Sequence, residues 1–467
     1  MFVNADLRVR RIQATRRSLG YAHGLEAPCD DHYPASPIYC FQNTEGRYSF
    51  PAMMTRRLTT FFASAVFIFT AQAAAEKNKA AAPFSFPTVD KLPLQTGMPD
   101  PFLSQDGRRV EDRKDWPAQR DYLKAMLAHY QYGTMPPQPG PDAIKVERVS
   151  SQKPFPDHAA VLEKYAVTIT QNDKSVTFHF EIIHEPGKGR QPVIIKNGRR
   201  SFLTDDEAAR DDLNAAKVAL ERGYVLCKFQ RTELAKDARG DRVKGVYPLY
   251  PEYDWGAIAV WAWAHGVVAD ALDKLEIADM DKLVATGHSR GGKAALCAGI
   301  YDERIAITAP NSSGTGGTGS MRYFEKGQRE QRLILHRKAF PHWWVDRLYQ
   351  FGDEEDRLPF DAHTAKALVA PRALFNTHAR QDYWANPYGT ELTYRAANRV
   401  FDWLGAEGKQ GIHWRDGGHA QNATDWGALF DFADWQFHGK EPEEGKAAFS
   451  KRAYPDAKLP VVWVRRP

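Results

Sequence analysis

Six short strand-like stretches punctuate the chain: QPVIIKNG (191–198), GYVLCKFQ (223–230), KLVATGHS (282–289), RIAITAPNSS (304–313), PRALFNTHARQD (371–382) and QGIHWRDGGH (410–419). The middle four are nearly continuous apolar runs, and helical material such as DEAARDDLNAAKVALERG and WGAIAVWAWAHGVVADALDKL precedes them. A strand that is apolar on both sides of its pleat must be covered on both faces, and helices between successive strands make those strands run parallel. The expected fold is therefore α/β, a single three-layer domain whose mostly parallel central sheet carries helices on both faces. Upstream, DWPAQRDYLKAMLAHYQYG sets Leu123, Met126, Leu127 and Tyr130 at helical spacing and ends at Gly133, a C-cap. KYAVTIT and SVTFHFEIIHEP read as a β-hairpin.

In such a sheet chemistry gathers at the carboxyl ends of the strands. One of those ends reads Gly287-His288-Ser289-Arg290-Gly291. Ser289 closes the run KLVAT and opens the small-residue helix GGKAALCAGIY, with glycines at the two positions where a tight strand-turn-helix leaves no room for side chains. The expectation is a nucleophile whose developing oxyanion faces the N–H groups and positive end of that helix. A nucleophilic serine needs a base and an acid, which follow it in the order Ser, acid, His in hydrolases of this build. His419 lies on a loop after the last strand-like segment, in Gly417-Gly418-His419, whereas His413 falls inside that strand and reads as a packing residue. Asp382, at the end of the preceding strand and 37 residues before His419, is the expected acid. Asp416 is too close in sequence to His419 to approach the ring from its far side. No H-E-x-x-H or clustered His/Cys spacing supports a zinc hydrolase, and no cofactor is expected.

The remaining sequence limits the setting of this site. Met54-Thr55-Arg56-Arg57, an apolar run to Thr70 and Ala71-Gln72-Ala73-Ala74-Ala75 have the basic, apolar and small-residue parts of a secretory signal over residues 53–75. The apolar run is too short for a comfortable membrane span, so no span is expected in the mature chain, and the expected location is periplasmic or secreted. Residues 1–52 read as a misassigned start or a disordered extension, residues 76–110 as a linker, and residues 111–467 as the folded domain. Residues 1–75 hold eight Arg, no Lys and five acidic residues; of the 63 Lys+Arg and 58 Asp+Glu in the chain, 55 and 53 lie beyond them. That balance argues against a nucleic-acid partner bound through bulk charge. Cys29 and Cys40 fall in the leader, and Cys227 and Cys297 sit in apolar contexts that read as two buried small hydrophobes rather than a disulfide.

GHSRGGKAAL, NSSGTGG, FPHWW, LPFDAHTAKALVAPRALF, QDYWANPYG and GGH, in that order, resemble the bacterial glucuronoyl esterases, carbohydrate esterase family 15. The resemblance spans roughly residues 110–445, and its distinguishing feature is S-R-x-G-K. It implies an α/β-hydrolase fold with Ser289 as nucleophile, Arg290 helping to bind the oxyanion, and Lys293 hydrogen-bonding hydroxyls of the glucuronoyl ring. Lys293 lies one helical turn after Ser289 and is expected near the pocket mouth. Trp384 resembles the aromatic residue that packs against the sugar. Glu325 resembles a sugar-contacting glutamate, with its local spacing off by about two residues. The chain departs from the family at Ser312, where many members carry an acid, and at Thr315, where a cysteine is common.

The reading that results is a serine esterase, expected as a monomer, acting on uronic acid esters of glucuronoxylan such as lignin-carbohydrate linkages. Two other readings keep the scaffold: an acetyl xylan esterase or related polysaccharide deacetylase, and a non-catalytic carbohydrate-binding protein motivated by the acid missing at Ser312. Arg290 and Lys293 suit a carboxylate-derived acyl sugar and have no obvious use for an acetyl group.

Overall fold

The structure, a computed structural model, describes residues 84–240, 242–325 and 332–463. The expected leader and signal segments, with Cys29 and Cys40, lie outside the described residues. The described residues belong to one compact unit.

Among the described residues, nine strands make one sheet: β1 (Ile144–Gln152), β2 (Val161–Gln171), β3 (Lys174–His184), β4 (Gln191–Gly198), β5 (Val225–Gln230), β6 (Ala278–His288), β7 (Ile305–Asn311), β8 (Ala373–Ala379) and β9 (Gln410–Arg415). Their order is β1-β2-β3-β5-β4-β6-β7-β8-β9. The β1-β2, β2-β3 and β3-β5 pairs are antiparallel, and every pair from β5 through β9 is parallel. The expected hairpin is β2-β3, turned at Asn172 and Asp173, both with positive φ (52° and 57°) as a two-residue primed turn requires. β1 is a strand that the sequence pattern hides: apart from Ile144 and Val146 its side chains are exposed, because it lies at the sheet edge.

The continuous apolar runs divide between two cores because successive strand residues point to opposite faces. Val193, Ile195, Val225, Cys227, Leu283 and Ala285 join one core; Ile194, Leu226 and Val284 join the other. The first face is covered by α1 (Trp116–Leu127), α3 (Ala257–Lys274) and α4 (Arg290–Tyr301). The second face is covered by α2 (Glu207–Glu221) and α6 (Ala423–His438). A further helix, α5 (Pro387–Leu404), lies between β8 and β9 in the chain. Gly133 caps the helical stretch after α1 with φ 81°, and a Cβ there would come within 2.5 Å of the Trp255 Cα. Cys227 and Cys297 are buried free thiols. No helix among the described residues is long and apolar enough to cross a membrane.

One expectation requires correction. The segment read as a linker is, from residue 84 to 110, part of the packed domain. Met98 and Phe102 are fully buried, and Phe102 joins Trp116, Trp403 and Trp463 in an aromatic cluster. The Met98 N–H donates to Pro460 O, and Trp463 Nε1 donates back to Met98 O. Its prolines preclude a regular pattern, so widely spaced anchors do the packing and leave no period to read.

Candidate active site

Ser289 sits between β6 and α4 with φ 56° and ψ −120°, a conformation that L-residues adopt only where the surroundings enforce it. Asn197, at the end of β4, is one enforcer: its amide donates to the carbonyls of Gly291 (2.8 Å) and Thr286 (3.2 Å). A Cβ on Gly287 would lie 2.5 Å from Gly291 backbone atoms, and one on Gly291 would lie 2.5 Å from Asn197 Oδ1. The two elbow glycines are therefore required by contact as well as by the turn. From the other side the Ser289 N–H donates to Asn311 O at the end of β7 (2.9 Å), and the Asn311 side chain donates to Thr377 Oγ1 on β8 (2.8 Å). The ends of β4, β6, β7 and β8 are thus tied into one rigid rim.

Ser289 Oγ lies 2.9 Å from His419 Nε2, and His419 Nδ1 lies 2.8 Å from Asp382 Oδ2. With a carboxylate on the Nδ1 side, the ring proton resides there and Nε2 is free to accept the serine proton. Burial alone would raise the Asp382 carboxyl, but the His419 hydrogen bond and the charges of His419 and His378 override it, and the acid is held below its ordinary value. Asp382 is 2% exposed, whereas about a third of the His419 side chain is open. His413, on β9, is half-buried within the strand, as expected of a packing residue. Asp416 pairs outward with Arg380 (3.0 Å).

Arg290 leaves the elbow and lies over the Phe340 and Trp343 rings, 5.3 and 5.1 Å from their centroids, with Asp237 bonded to its guanidinium. Asp237 also accepts from His342 Nε2 and Trp343 Nε1, both at 2.9 Å. Burial would raise this carboxyl as well; the His342 bond, the Arg290 charge and the Trp343 bond instead hold it well below the carboxylate range. The FPHWW motif is thereby explained as the clamp that fixes Arg290 beside Ser289.

Lys293 departs from the expected position at the pocket mouth. It is fully buried, its Nζ donates to Ser313 O, and it lies 5.6 Å from the Trp343 ring centroid. The helical spacing places it on the Ser289 side, but the glycine loop folds over it: a Cβ on Gly317 would sit 3.0 Å from Lys293 Cγ. Burial, then the Arg290 charge, lower its ammonium to about 7. Trp384 is half exposed beside Asp382, an exposed indole and not a core one. Glu325 is half-buried, in the segment that follows the glycine loop. Ser312, at the family's acid position, is buried with φ 41° near Asp382, and Thr315 is buried with its hydroxyl on Ser320 O (3.4 Å).

Sequence reasoning missed His288, Asn197 and Asp237. The half-buried His288 ring lies 4.5 Å from the His419 ring, centroid to centroid, and is bonded to Asn311 Oδ1. Burial, then the neighbouring His419, push it down to about 3, so it stays neutral and does not repel an imidazolium forming on His419. A His within the elbow motif was the one available signal; Asn197 reaches the site from the end of β4 and Asp237 from the loop beyond β5, and neither leaves one. Among the described residues no group of three His, Cys, Asp or Glu side chains is placed to hold a metal ion.

A mostly parallel sheet with a strained serine elbow and an Asp-His-Ser chain of hydrogen bonds defines an α/β-hydrolase-type serine hydrolase. A family profile described as glucuronyl esterase, fungi, matches residues 167–405. A carbohydrate esterase from an unknown prokaryotic organism is 28% identical over 400 residues, covering 73% of this chain and 90% of that protein. A 4-O-methyl-glucuronoyl methylesterase of Schizophyllum commune is 28% identical over 337 residues, covering 70% of this chain and 78% of the relative. Among solved structures, a carbohydrate esterase family 15 glucuronoyl esterase from Caldicellulosiruptor kristjansonii superposes with a TM-score of 0.66 at 30% identity, over 78% of this chain and 96% of that one. The chain belongs to the glucuronoyl esterase family, carbohydrate esterase family 15.

Proposed function

We propose that the protein is an exported serine esterase that hydrolyses esters between a glucuronic acid carboxyl group, with or without its 4-O-methyl group, and an alcohol, as in lignin-carbohydrate linkages on glucuronoxylan. The observation that carries this reading is the Asp382-His419-Ser289 chain of hydrogen bonds at 2.8 and 2.9 Å beside the clamped Arg290. His419 takes the Ser289 proton as Oγ attacks the ester carbonyl, and Asp382 stabilises the imidazolium. Arg290 and the N–H groups opening α4, which have no intrahelical partners, face the oxyanion. His419 then gives its proton to the departing alcohol, and water, activated by the same ring, releases the uronate. Trp384, exposed beside Asp382, offers a stacking face for the sugar, with Glu325 as a further polar contact. Lys293 acts through Ser313 and the glycine loop unless that loop moves to uncover it. The basic-apolar-small pattern of residues 53–75 supports export, and the even charge balance of the rest argues against a nucleic-acid partner.

Hydrolysis of a benzyl glucuronate ester, compared with that of an acetylated xylo-oligosaccharide, tests the reading. The uronate ester is expected to be preferred, with loss of turnover in Ser289→Ala by several orders of magnitude. Activity on the acetyl substrate alone points to the deacetylase reading, and no turnover above the Ser289→Ala background points to the binding-protein reading.

A further inference from the structure

The cleft of about 390 Å³ that holds Ser289 is strongly basic on one wall. Lys196, Arg199, Arg200, Lys228, Arg231 and Arg290 line it against Asp206 and Asp212. Most of these charges are matched: Asp212 takes both lysines, Asp206 takes Arg200 at 2.7 Å, and Asp237 behind the wall takes Arg290. Arg199 and Arg231 have no ion pair among the described residues. Arg199 is exposed just after β4. Arg231, just after β5, is 8% exposed; it lies 4.9 Å from the Trp261 ring centroid and reaches Asn197 O only at 3.4 Å. Its Nε is buried with no partner.

A buried guanidinium without a carboxylate is costly, and its planar fork matches a carboxylate in two-point contact. The carboxylate whose field it feels, Asp237, is already committed to Arg290, His342 and Trp343. Burial first, with the charges of Arg199 and Arg290 working the same way, lowers Arg231 to about 10, as expected of a cation lacking its counter-charge. The ester group itself does not supply one, because a uronate ester is neutral at its acyl carbon. The sheet order fixes the geometry further. From β6, which presents Ser289, β4 and β5 lie to one side, while β7 and β8, the latter leading to Asp382 and Trp384, lie to the other. Trp384 does not line the basic cleft.

We propose that Arg231 and Arg199 form an anion subsite, across Ser289 from Trp384, that takes a carboxylate carried by the substrate beyond the scissile ester. The inference rests on the uronate-ester reading and adds to it a second, charged determinant of specificity. The same chemistry could be met by the carboxylate of the released uronate, and the test separates the two sources.

The probes are the glucuronate esters of benzyl alcohol and of 4-(hydroxymethyl)benzoate, which differ in one remote carboxylate. The wild type is expected to favour the charged ester in kcat/KM by about tenfold, the worth of one hydrogen-bonded charge contact. That ratio falls toward one at high salt, in Arg231→Gln and in Arg199→Gln. Because Arg199 is exposed, its variant keeps the test valid even if Arg231→Gln does not fold. A wild-type ratio of one, together with inhibition by free glucuronate that weakens in Arg199→Gln, assigns the subsite to the product carboxylate. A ratio of one with glucuronate inhibition unaltered by either substitution overturns the subsite alone. Failure of the wild type to turn over either ester overturns the esterase reading, and the subsite with it.

Discussion

Asp382→Asn is the substitution that most sharply separates a working relay from a fortuitous hydrogen bond. The amide is nearly isosteric, so packing around this buried side chain is kept while its charge is removed. In the wild type the carboxylate lies 2.8 Å from His419 Nδ1, and it is needed most when His419 carries a full positive charge. Two unit charges centred about 4 Å apart attract by roughly 4 kcal/mol at an effective dielectric near 20. The ring is one-third exposed, so screening trims this toward about 3 kcal/mol. At 1.36 kcal/mol per decade that amounts to a loss of roughly 10² to 10³ in kcat, and an amide that stabilises the wrong tautomer adds to it. The assay is steady-state hydrolysis of a benzyl glucuronate ester, with thermal unfolding as the control for folding. Because the His419 hydrogen bond and charge hold Asp382 below its ordinary value, it is ionised at neutral pH, where the two proteins are compared. A loss below tenfold in a folded variant, with the pH profile unaltered, refutes the assignment and shows that another group orients the ring.

Other substitutions probe the supports of the site. Lys293→Met keeps the volume and removes a buried cation whose native value is about 7 against about 10.5 unfolded. Between those values the unfolded chain binds the extra proton, so wild-type stability rises relative to Lys293→Met as pH increases from about 7 to 10, by roughly a few kcal/mol. Parallel unfolding curves for the two proteins across that range contradict the burial of the ammonium. Gly291→Ala drives a Cβ to within 2.5 Å of Asn197 Oδ1 and should destabilise by about 1–3 kcal/mol, with a disproportionate loss of turnover as the elbow shifts. Unchanged Tm and activity there are incompatible with the packed rim. Cys227 and Cys297 should react with an aromatic disulfide reagent only on unfolding, and rapid labelling of the native protein contradicts their burial.

The parts of this molecule legible in the sequence are those in which a local pattern and a tertiary role coincide. The continuous runs of β5 to β8 must be buried on both faces wherever they lie, so their period and composition suffice. The elbow is similar: a strand, two obligatory glycines and a small-residue helix are contiguous. His419 and Asp382 were found because strand ends in a parallel sheet converge, so position within a segment stands in for position in space. β1 was hidden because an edge strand needs no apolar face, and residues 84–110 because Met98 and Phe102 anchor them without periodicity. Lys293 shows the limit of helical spacing, which gives the face of α4 but not the loop that covers it. Asp237, 53 residues before Arg290, and Asn197, 94 residues before Gly291, act across separations that carry no sequence signal.

The central claim is that Ser289 becomes esterified by a uronic acid. Acid-quenched mixtures of the protein with a benzyl glucuronate ester, read by intact-mass and peptide mass spectrometry, test it most directly. The predicted result is a single glucuronoyl adduct on the peptide containing Ser289, formed before steady state and absent in Ser289→Ala. An adduct on another residue, or turnover retained in Ser289→Ala, contradicts the account.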